Sequence, residues 1–202
     1  MLFRSGSTNS TIQQLGLTVK DIASTTKFSA SEVAEGITMI AQAGFDAGQS
    51  MQMMQSISNL ATGTLTDMKT TVDLVTSAMV VFNIEAHNSS RVSDVFANAV
   101  NKSKLTMDKI KTAFNYIGPV ARDAGVSFEE TAVAMMLLAN SGQRASTIGT
   151  GLRNVFSTLL SPSKKLTDAA NAAGVALVDL DPRVNSMKTR SEEHTSELQS
   201  PG

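Results

Sequence analysis

The sequence lacks cysteine and tryptophan and holds few other aromatic residues. With no cysteine among 202 residues, disulfide bonds and thiolate metal sites are excluded. Aromatic residues make up 4% of the chain, whereas methionine occurs 11 times. This balance favours helices that pack through small and flexible side chains over an aromatic-rich β-sandwich. The composition therefore predicts an all-α protein with little or no β structure.

An excess of charge is also missing. The chain holds 17 basic and 18 acidic residues, whereas a nucleic-acid surface needs clustered Lys and Arg, so no specific nucleic-acid binding is predicted. No N-terminal stretch has the pattern of a secretory signal. The longest uncharged run, residues 47–66, is rich in Gln, Ser, Asn and Thr, which are costly to insert into a bilayer. We expect a soluble chain.

The two ends differ from the rest of the sequence. Residues 190–202, RSEEHTSELQSPG, resemble a translated sequencing-library adapter, and MLFRS at residues 1–5 resembles the opposite adapter end. We exclude such segments from fold reasoning and expect residues 6–189 to form one natural helical module. Without the two ends, basic and acidic residues are equal in number. We expect the module to be an internal fragment of a longer gene product.

Three helices are predicted between residues 28 and 83, with Gly44 and Gly63 as helix ends. Ser29 and Glu32 have the spacing of a capping box. A third helix begins near Thr66 and carries a heptad-like apolar stripe. The predicted core-facing positions are Val33, Ile37 and Ile40, then Met53, Met54, Ile57, Leu60 and Ala61, then Met68, Val72, Val75, Met79 and Phe82.

The second half repeats the capping pattern of the first. Ser127, Glu130 and Gly142 match Ser29, Glu32 and Gly44 at an offset of 98 residues. An internal duplication of a helix-turn-helix unit explains this match, and so does convergent use of one capping pattern. The sequence does not separate the two explanations. In either case we expect antiparallel helix hairpins.

The segments around these repeats are also mostly helical. A polar turn is predicted at residues 87–91, a short helix at residues 164–174, and an extended run at residues 174–182. Gly118 and Pro119 are predicted to kink or stop the helix that contains them. The predicted apolar faces comprise Val92, Val95, Phe96, Ala99 and Val100, followed by Met107, Ile110, Phe114 and Ile117.

Three glycines lie in the segment SGQRASTIGTGLRNVFSTLLSPS, residues 141–163. A phosphate-binding loop requires GxxxxGK[ST] after a strand, but this segment has no lysine beside its glycines and follows a helical pattern. We therefore interpret Gly142 as a helix end, and Gly149 and Gly151 as sites of close helix approach. The predicted buried face of the following helix is Ile148, Leu152, Val155, Phe156 and Leu159.

No set of residues predicts catalysis. His87 is the only histidine outside residues 190–202, and a single histidine in a polar turn is a poor candidate for a metal site or a nucleophile's base. Glu129 and Glu130 occupy the first turn of a helix, where the macrodipole favours acidic residues. Asn88 begins a glycosylation sequon that we interpret as a turn. We predict no enzyme, no catalytic, cofactor-binding or metal-binding residues, and no cofactor.

Three stretches carry a family resemblance: SASEVAEG at 29–36, IGPVARDAGVSFEETA at 117–132 and SGQRASTIGTGLRN at 141–154. Over residues 18–160 the chain resembles the tail tape-measure proteins of long-tailed bacteriophages and prophages. The resemblance implies a structural protein of the virion whose copies lie along the tail lumen. Chain length then sets tail length, and the protein later takes part in DNA delivery into the host.

The resemblance also implies partners. These are the major tail tube protein, tail assembly chaperones, distal tail or baseplate hub proteins, and further copies of the chain. Assembly would take place in the host cytoplasm. Two alternatives remain: a membrane-active helical protein that contacts the host membrane during DNA delivery, and a bacterial helical adaptor or uncharacterised enzyme domain.

An α-helix can act as a ruler because it rises about 1.5 Å per residue. A continuous rod, however, must not contain helix breakers. We therefore expect a folded module of the tape measure that acts in assembly or docking. The predicted breaks are Gly44, Gly63, Gly118, Pro119, Gly125 and Gly142.

Overall fold

The structure, a computed structural model, describes residues 9–184. The predictions for residues 1–5 and 190–202 lie outside this range. Within it the chain is all-α, as predicted, with a short 3₁₀ helix at Ala86–Asn88 and no strand. The α-helices are α1 Asn9–Thr25, α2 Ala30–Gln42, α3 Ala47–Gly63, α4 Met68–Val81, α5 Ser89–Lys102, α6 Met107–Asp123, α7 Phe128–Asn140, α8 Ala145–Leu160, α9 Lys164–Ala172 and α10 Leu177–Leu180.

The described residues form two compact units, unit 1 ending at Asn101 and unit 2 beginning at Lys102. In unit 1, α2, α3 and α4 pack against one another, and α1 contacts α2 and α3. In unit 2, α8 packs extensively along α6, and α7 contacts both. Predicted core positions that are buried include Val33, Ile37, Ile40, Met53, Met54, Ile57, Val72, Val75, Met79, Phe96, Ile110, Phe114 and Ile117.

The helix starts follow the predicted capping chemistry. The backbone N–H of Glu32 donates to Ser29 Oγ at 3.3 Å, and the N–H of Ser29 donates to the Glu32 carboxylate at 2.9 Å. Ser127 and Glu130 make the same pair of bonds at 3.2 and 3.0 Å. These reciprocal bonds satisfy backbone donors that the helix itself leaves unpaired.

Left-handed residues end several helices. Gly44 has φ +105° and Gly142 has φ +89°, as expected for glycine just after a helix end. The helix predicted to end at Gly63 does end there, since α3 closes with Gly63, but the left-handed conformation that follows is adopted by Leu65 at φ 54°.

Gly118 and Pro119 do not stop α6, which continues to Asp123. Of the predicted kink or stop, the stop is wrong, because the nearby residues Ile117 and Ala121 are buried in the packing of the helix. Pro119 itself is exposed, so the carbonyl of Asn115 that loses its usual donor lies on the solvent side. Tertiary packing here outweighs the local cost of proline.

Two further local predictions need correction. The predicted polar turn at residues 87–91 ends early, since α5 already begins at Ser89 and the Ser89 side chain is buried. The predicted extended run at residues 174–182 contains the short helix α10 instead. Both segments are too short for periodicity to decide between helix and loop.

Three helices of each unit occupy corresponding positions in the sequence. Helices α1, α2 and α3 map onto α6, α7 and α8 at the offset of 98 residues that relates the two capping boxes. The hydrogen bond from Thr26 N to Ile22 O also has its counterpart, from Ala124 N to Val120 O. The internal duplication stays a prediction, but this register lets each position in one unit be compared with a position in the other.

Candidate interaction surfaces

His87 is placed in the exposed 3₁₀ helix, away from any set of ligands. Its Nδ1 lies 3.2 Å from the Glu85 carboxylate, and its Nε2 lies 3.1 Å from Asn88 Nδ2. Among residues 9–184, no group of three or more His, Cys, Asp or Glu residues could hold a metal ion. The geometry around His87 is therefore that of a local surface network.

The acidic residues at helix starts have structural partners. Glu130 caps α7, and Glu129 lies in the same first turn. At the equivalent position of α2, hydrogen bonds from the backbone and side chain of Ser29 hold the pKa of Glu32 below its usual range. The carboxylates of Glu32 and Glu130 therefore stabilise helix starts through capping bonds.

No helix within the described range is long and apolar enough to cross a membrane.

The glycines of α8 have different environments. A Cβ added to Gly149 would lie 2.6 Å from the carbonyl oxygen of Ala113 and 3.0 Å from the Cβ of Tyr116. Helices α6 and α8 therefore touch at their backbones, and close approach at Gly149 is confirmed. Gly151 is exposed with nothing within 4 Å of its Cβ position, so the same prediction is wrong there.

The predicted buried face of α8 is only partly correct. Ile148, Leu152 and Phe156 are buried, but Val155 is 52% exposed. On α7, Val133 and Leu137 lie one turn apart and are 52% and 67% exposed. Unit 2 thus exposes apolar side chains to solvent on two of its helices.

A polar groove lies between α3 and α5 in unit 1, with a cavity volume of about 260 Å³. The hydroxyl of Ser93 is buried there and has no hydrogen-bond partner within the described part of the chain. Asp94 is the one charged residue in the lining. Sequence reasoning missed this groove because it depends on how two helices pack. The lining residues are Ser56, Asn59, Leu60, Gly63, Thr64, Ser90, Ser93, Asp94, Ala97 and Asn101.

Comparison with known proteins identifies the family. Residues 10–200 match the family model described as phage-related minor tail protein. The chain belongs to this family. No solved structure shows significant similarity to this phage tail protein. The resemblance drawn from the capping and glycine-rich segments is therefore confirmed, and the chain is a tail component by family.

Two curated relatives are similar over most of this minor tail protein. A tape measure protein of Pneumococcus phage Dp-1 is 32% identical over 159 residues, which cover 79% of this chain and 14% of the relative. A probable tape measure protein of Escherichia phage P2 is 30% identical over 160 residues, covering 79% of this chain and 20% of the relative. The matched region is a small part of each relative's length.

Proposed function

We propose that this chain is a segment of a tape-measure protein that acts in phage tail assembly and has no enzymatic activity. The observation that carries the proposal is the similarity to two tape measure proteins across 79% of the chain. The all-α fold supports it, since a length-determining protein of this kind is expected to be helical. Tail-length determination and a later part in DNA delivery belong to the whole protein in this proposal.

Within the tape measure, this segment serves as a folded module and not as a stretch of extended ruler. Its longest helices have 17 residues, which corresponds to about 26 Å of rise. Residues in the left-handed conformation follow the ends of α2, α3 and α4, and the chain turns back on itself to form a core. Such a module suits docking or assembly at one position of the tail.

The proposed partners are the major tail tube protein, tail assembly chaperones, the distal tail or baseplate hub proteins, and other copies of the chain. The exposed apolar residues on α7 and α8 offer contact area for them, because apolar side chains gain free energy when removed from water. The proposed location is the lumen of the tail, after assembly in the host cytoplasm.

The gene's surroundings test the proposal. We expect the reading frame to continue, after adapter trimming, into several hundred helix-rich residues beside genes for tail tube and distal tail proteins. Mass spectrometry of purified virions should then recover peptides from residues 9–184. A frame that stops near Thr189 among unrelated bacterial genes would contradict the tail role and favour the adaptor alternative.

A further inference from the structure

The polar groove between α3 and α5 contains a buried hydroxyl group that the described chain does not satisfy. Ser93 is 6% exposed, and its Oγ has no hydrogen-bond partner among residues 9–184. Most other buried hydroxyls of this range donate to the carbonyl oxygen four residues earlier, as Ser58 does to Met54 at 2.7 Å. Because native proteins seldom leave a buried polar group unpaired, Ser93 requires an explanation. Its place in the lining of the groove suggests one.

The groove is long and narrow. Its lining residues run from Ser56 to Thr64 on α3 and from Ser90 to Asn101 on α5, which corresponds to about 12 Å and about 16 Å of helix. Its volume of about 260 Å³ is below the roughly 300–1,000 Å³ of pockets for drug-sized molecules. At Gly63 nothing lies within 4 Å of the Cβ position, so no side chain of the described chain fills that part. These dimensions suit a slender ligand.

The floor of the groove is less polar than its rim. Leu60 and Ser93 are buried and Ala97 is half-buried, whereas Asn59 and Asp94 are exposed. A ligand that fits therefore has an apolar chain, which lies on the floor, and a polar end, which reaches the rim. The side chain of lysine has this division between an apolar stem and a charged head.

The hydroxyl groups of the lining are placed to accept hydrogen bonds. The hydroxyl of Thr64 donates to the carbonyl of Leu60 at 2.7 Å, and that of Ser56 donates to the carbonyl of Met53 at 2.9 Å. Each of these oxygens keeps lone pairs that can accept from a ligand. An ammonium group supplies the complement, because it carries three donors and no acceptor.

The charge of the lining favours a cation. Asp94 is the only charged residue there, and its carboxylate forms no ion pair or hydrogen bond within the described range. No Lys or Arg of the lining could neutralise a phosphate or carboxylate ligand. The groove thus disfavours anions and offers one carboxylate to a ligand with one positive charge.

We propose that the polar groove binds a lysine side chain of a protein partner. The stem of this lysine lies over Leu60 and Ala97, and its ammonium group donates to the Asp94 carboxylate. A rotation of Ser93 to another staggered χ1 position turns its hydroxyl towards the ammonium group. The single carboxylate favours lysine over a free aliphatic diamine, because the second ammonium of a diamine would have no counter-charge in the lining.

As a contact between proteins, the lysine site rests on the proposed function, in which this chain has partners in the tail. Binding of an isolated lysine side chain is weak, in the millimolar range, since water and salt screen the exposed Asp94. Because binding is measured on the purified chain, its failure is distinct from failure of the tail role, which is tested in virions.

Nuclear magnetic resonance titration of the isotope-labelled 202-residue chain tests the site. The probe is N-acetyl-lysine methylamide, and its matched control is the norleucine analogue, which lacks the ammonium group. The lysine probe should shift the backbone amides of Gly63, Ser93, Asp94 and Ala97 to saturation, and more weakly at high salt. Absence of saturable shifts, equal shifts with the norleucine analogue, or tighter binding of the diamine cadaverine would each overturn the proposal.

Charge variants test the role of Asp94. Asp94→Asn should raise the dissociation constant of the lysine probe by about two- to fivefold, as expected for an exposed ion pair. Glu35→Gln is the matched control, because it removes an exposed carboxylate of unit 1 that is not part of the lining, and it should leave the constant unchanged. Equal effects of the two variants would contradict the assigned contact.

Variants of the floor separate binding from folding. Ser93→Ala should weaken binding of the lysine probe without lowering the free energy of unfolding, because the hydroxyl has no partner to lose in the free chain. Ala97→Leu should abolish binding by filling the groove, with helical circular dichroism unchanged. A Ser93→Ala variant that unfolds more easily and binds the probe normally would give the hydroxyl a structural role and overturn its role in the site.

Discussion

At the scale of single residues, two glycines two positions apart on α8 have opposite structural roles. The Cβ position of Gly149 is occupied by the backbone of α6, while that of Gly151 is open. The sequence predicted a glycine-dependent helix contact in this segment but could not assign it to one glycine. That assignment depends on which face of α8 meets α6.

Alanine substitutions separate the two glycines. Gly149→Ala should lower the free energy of unfolding by about 1–3 kcal/mol, because a backbone carbonyl cannot move aside as a flexible side chain can. Gly151→Ala should raise it by up to about 1 kcal/mol through helix propensity alone. Urea unfolding followed by circular dichroism measures both. Equal effects of the two changes would show that the α6–α8 contact is misplaced.

The capping glutamate of α2 makes stability depend on pH. Hydrogen bonds from Ser29 lower the pKa of Glu32 in the folded state. The stabilisation that the ionised carboxylate gives is therefore fully present above the pKa that Glu32 has in the unfolded chain. It is lost as the pH falls through the lower folded-state value. Glu32→Gln keeps an acceptor but cannot titrate, so the stability difference between wild type and variant should shrink on acidification.

Unfolding free energies of the two proteins, measured between neutral and mildly acidic pH, check this expectation. Glu35→Gln is a matched control, because it removes a carboxylate from the same helix without removing a capping bond. A wild-type advantage over Glu32→Gln that stays constant down to the acid transition would contradict the assigned role of Glu32.

At the scale of helices, the turn that follows α3 is conformationally strained. Leu65 adopts φ 54° after α3 and is 85% exposed, whereas the matching turn after α2 uses Gly44. A left-handed conformation costs a residue with a Cβ roughly 1–2 kcal/mol. An exposed leucine held in this way gains little from packing inside the chain.

Leu65→Gly should therefore raise the free energy of unfolding by about 1 kcal/mol, since it relieves strain and removes little buried surface. Gly44→Leu should have the opposite effect at the equivalent turn. Thermal and urea unfolding of the two variants provide the test. Destabilisation by Leu65→Gly would mean that the leucine side chain makes a contact that its exposure does not indicate.

Helix starts and ends were largely predictable because their causes are local. Ser29 with Glu32 and Ser127 with Glu130 carry their hydrogen-bond partners within one turn, and Gly44 and Gly142 supply the left-handed conformation themselves. The fate of Pro119 and the exposure of Val155 were not predictable, since both depend on the packing of other helices.

At the scale of the whole molecule, the sequence supported the family through particular segments. The capping boxes and the segment 141–154 carried the resemblance, and the match over residues 10–200 confirmed it. The polar groove and the exposed residues of α7 and α8 were not predictable, because they depend on how the helices pack within each unit. The central claim of the proposed function is that the segment acts as a folded module, because the chain reverses direction between its helices.

Tail length in electron micrographs tests that claim most directly, after in-frame deletion of residues 9–184 from the tape measure of the phage that encodes this chain. If these residues formed straight ruler helix, tails would be assembled in normal number and shortened by about 260 Å. We predict instead that few complete tails form, that the few present are not shortened by this amount, and that the intact protein supplied from a plasmid restores assembly. Normal numbers of tails shortened by about 260 Å would contradict the account.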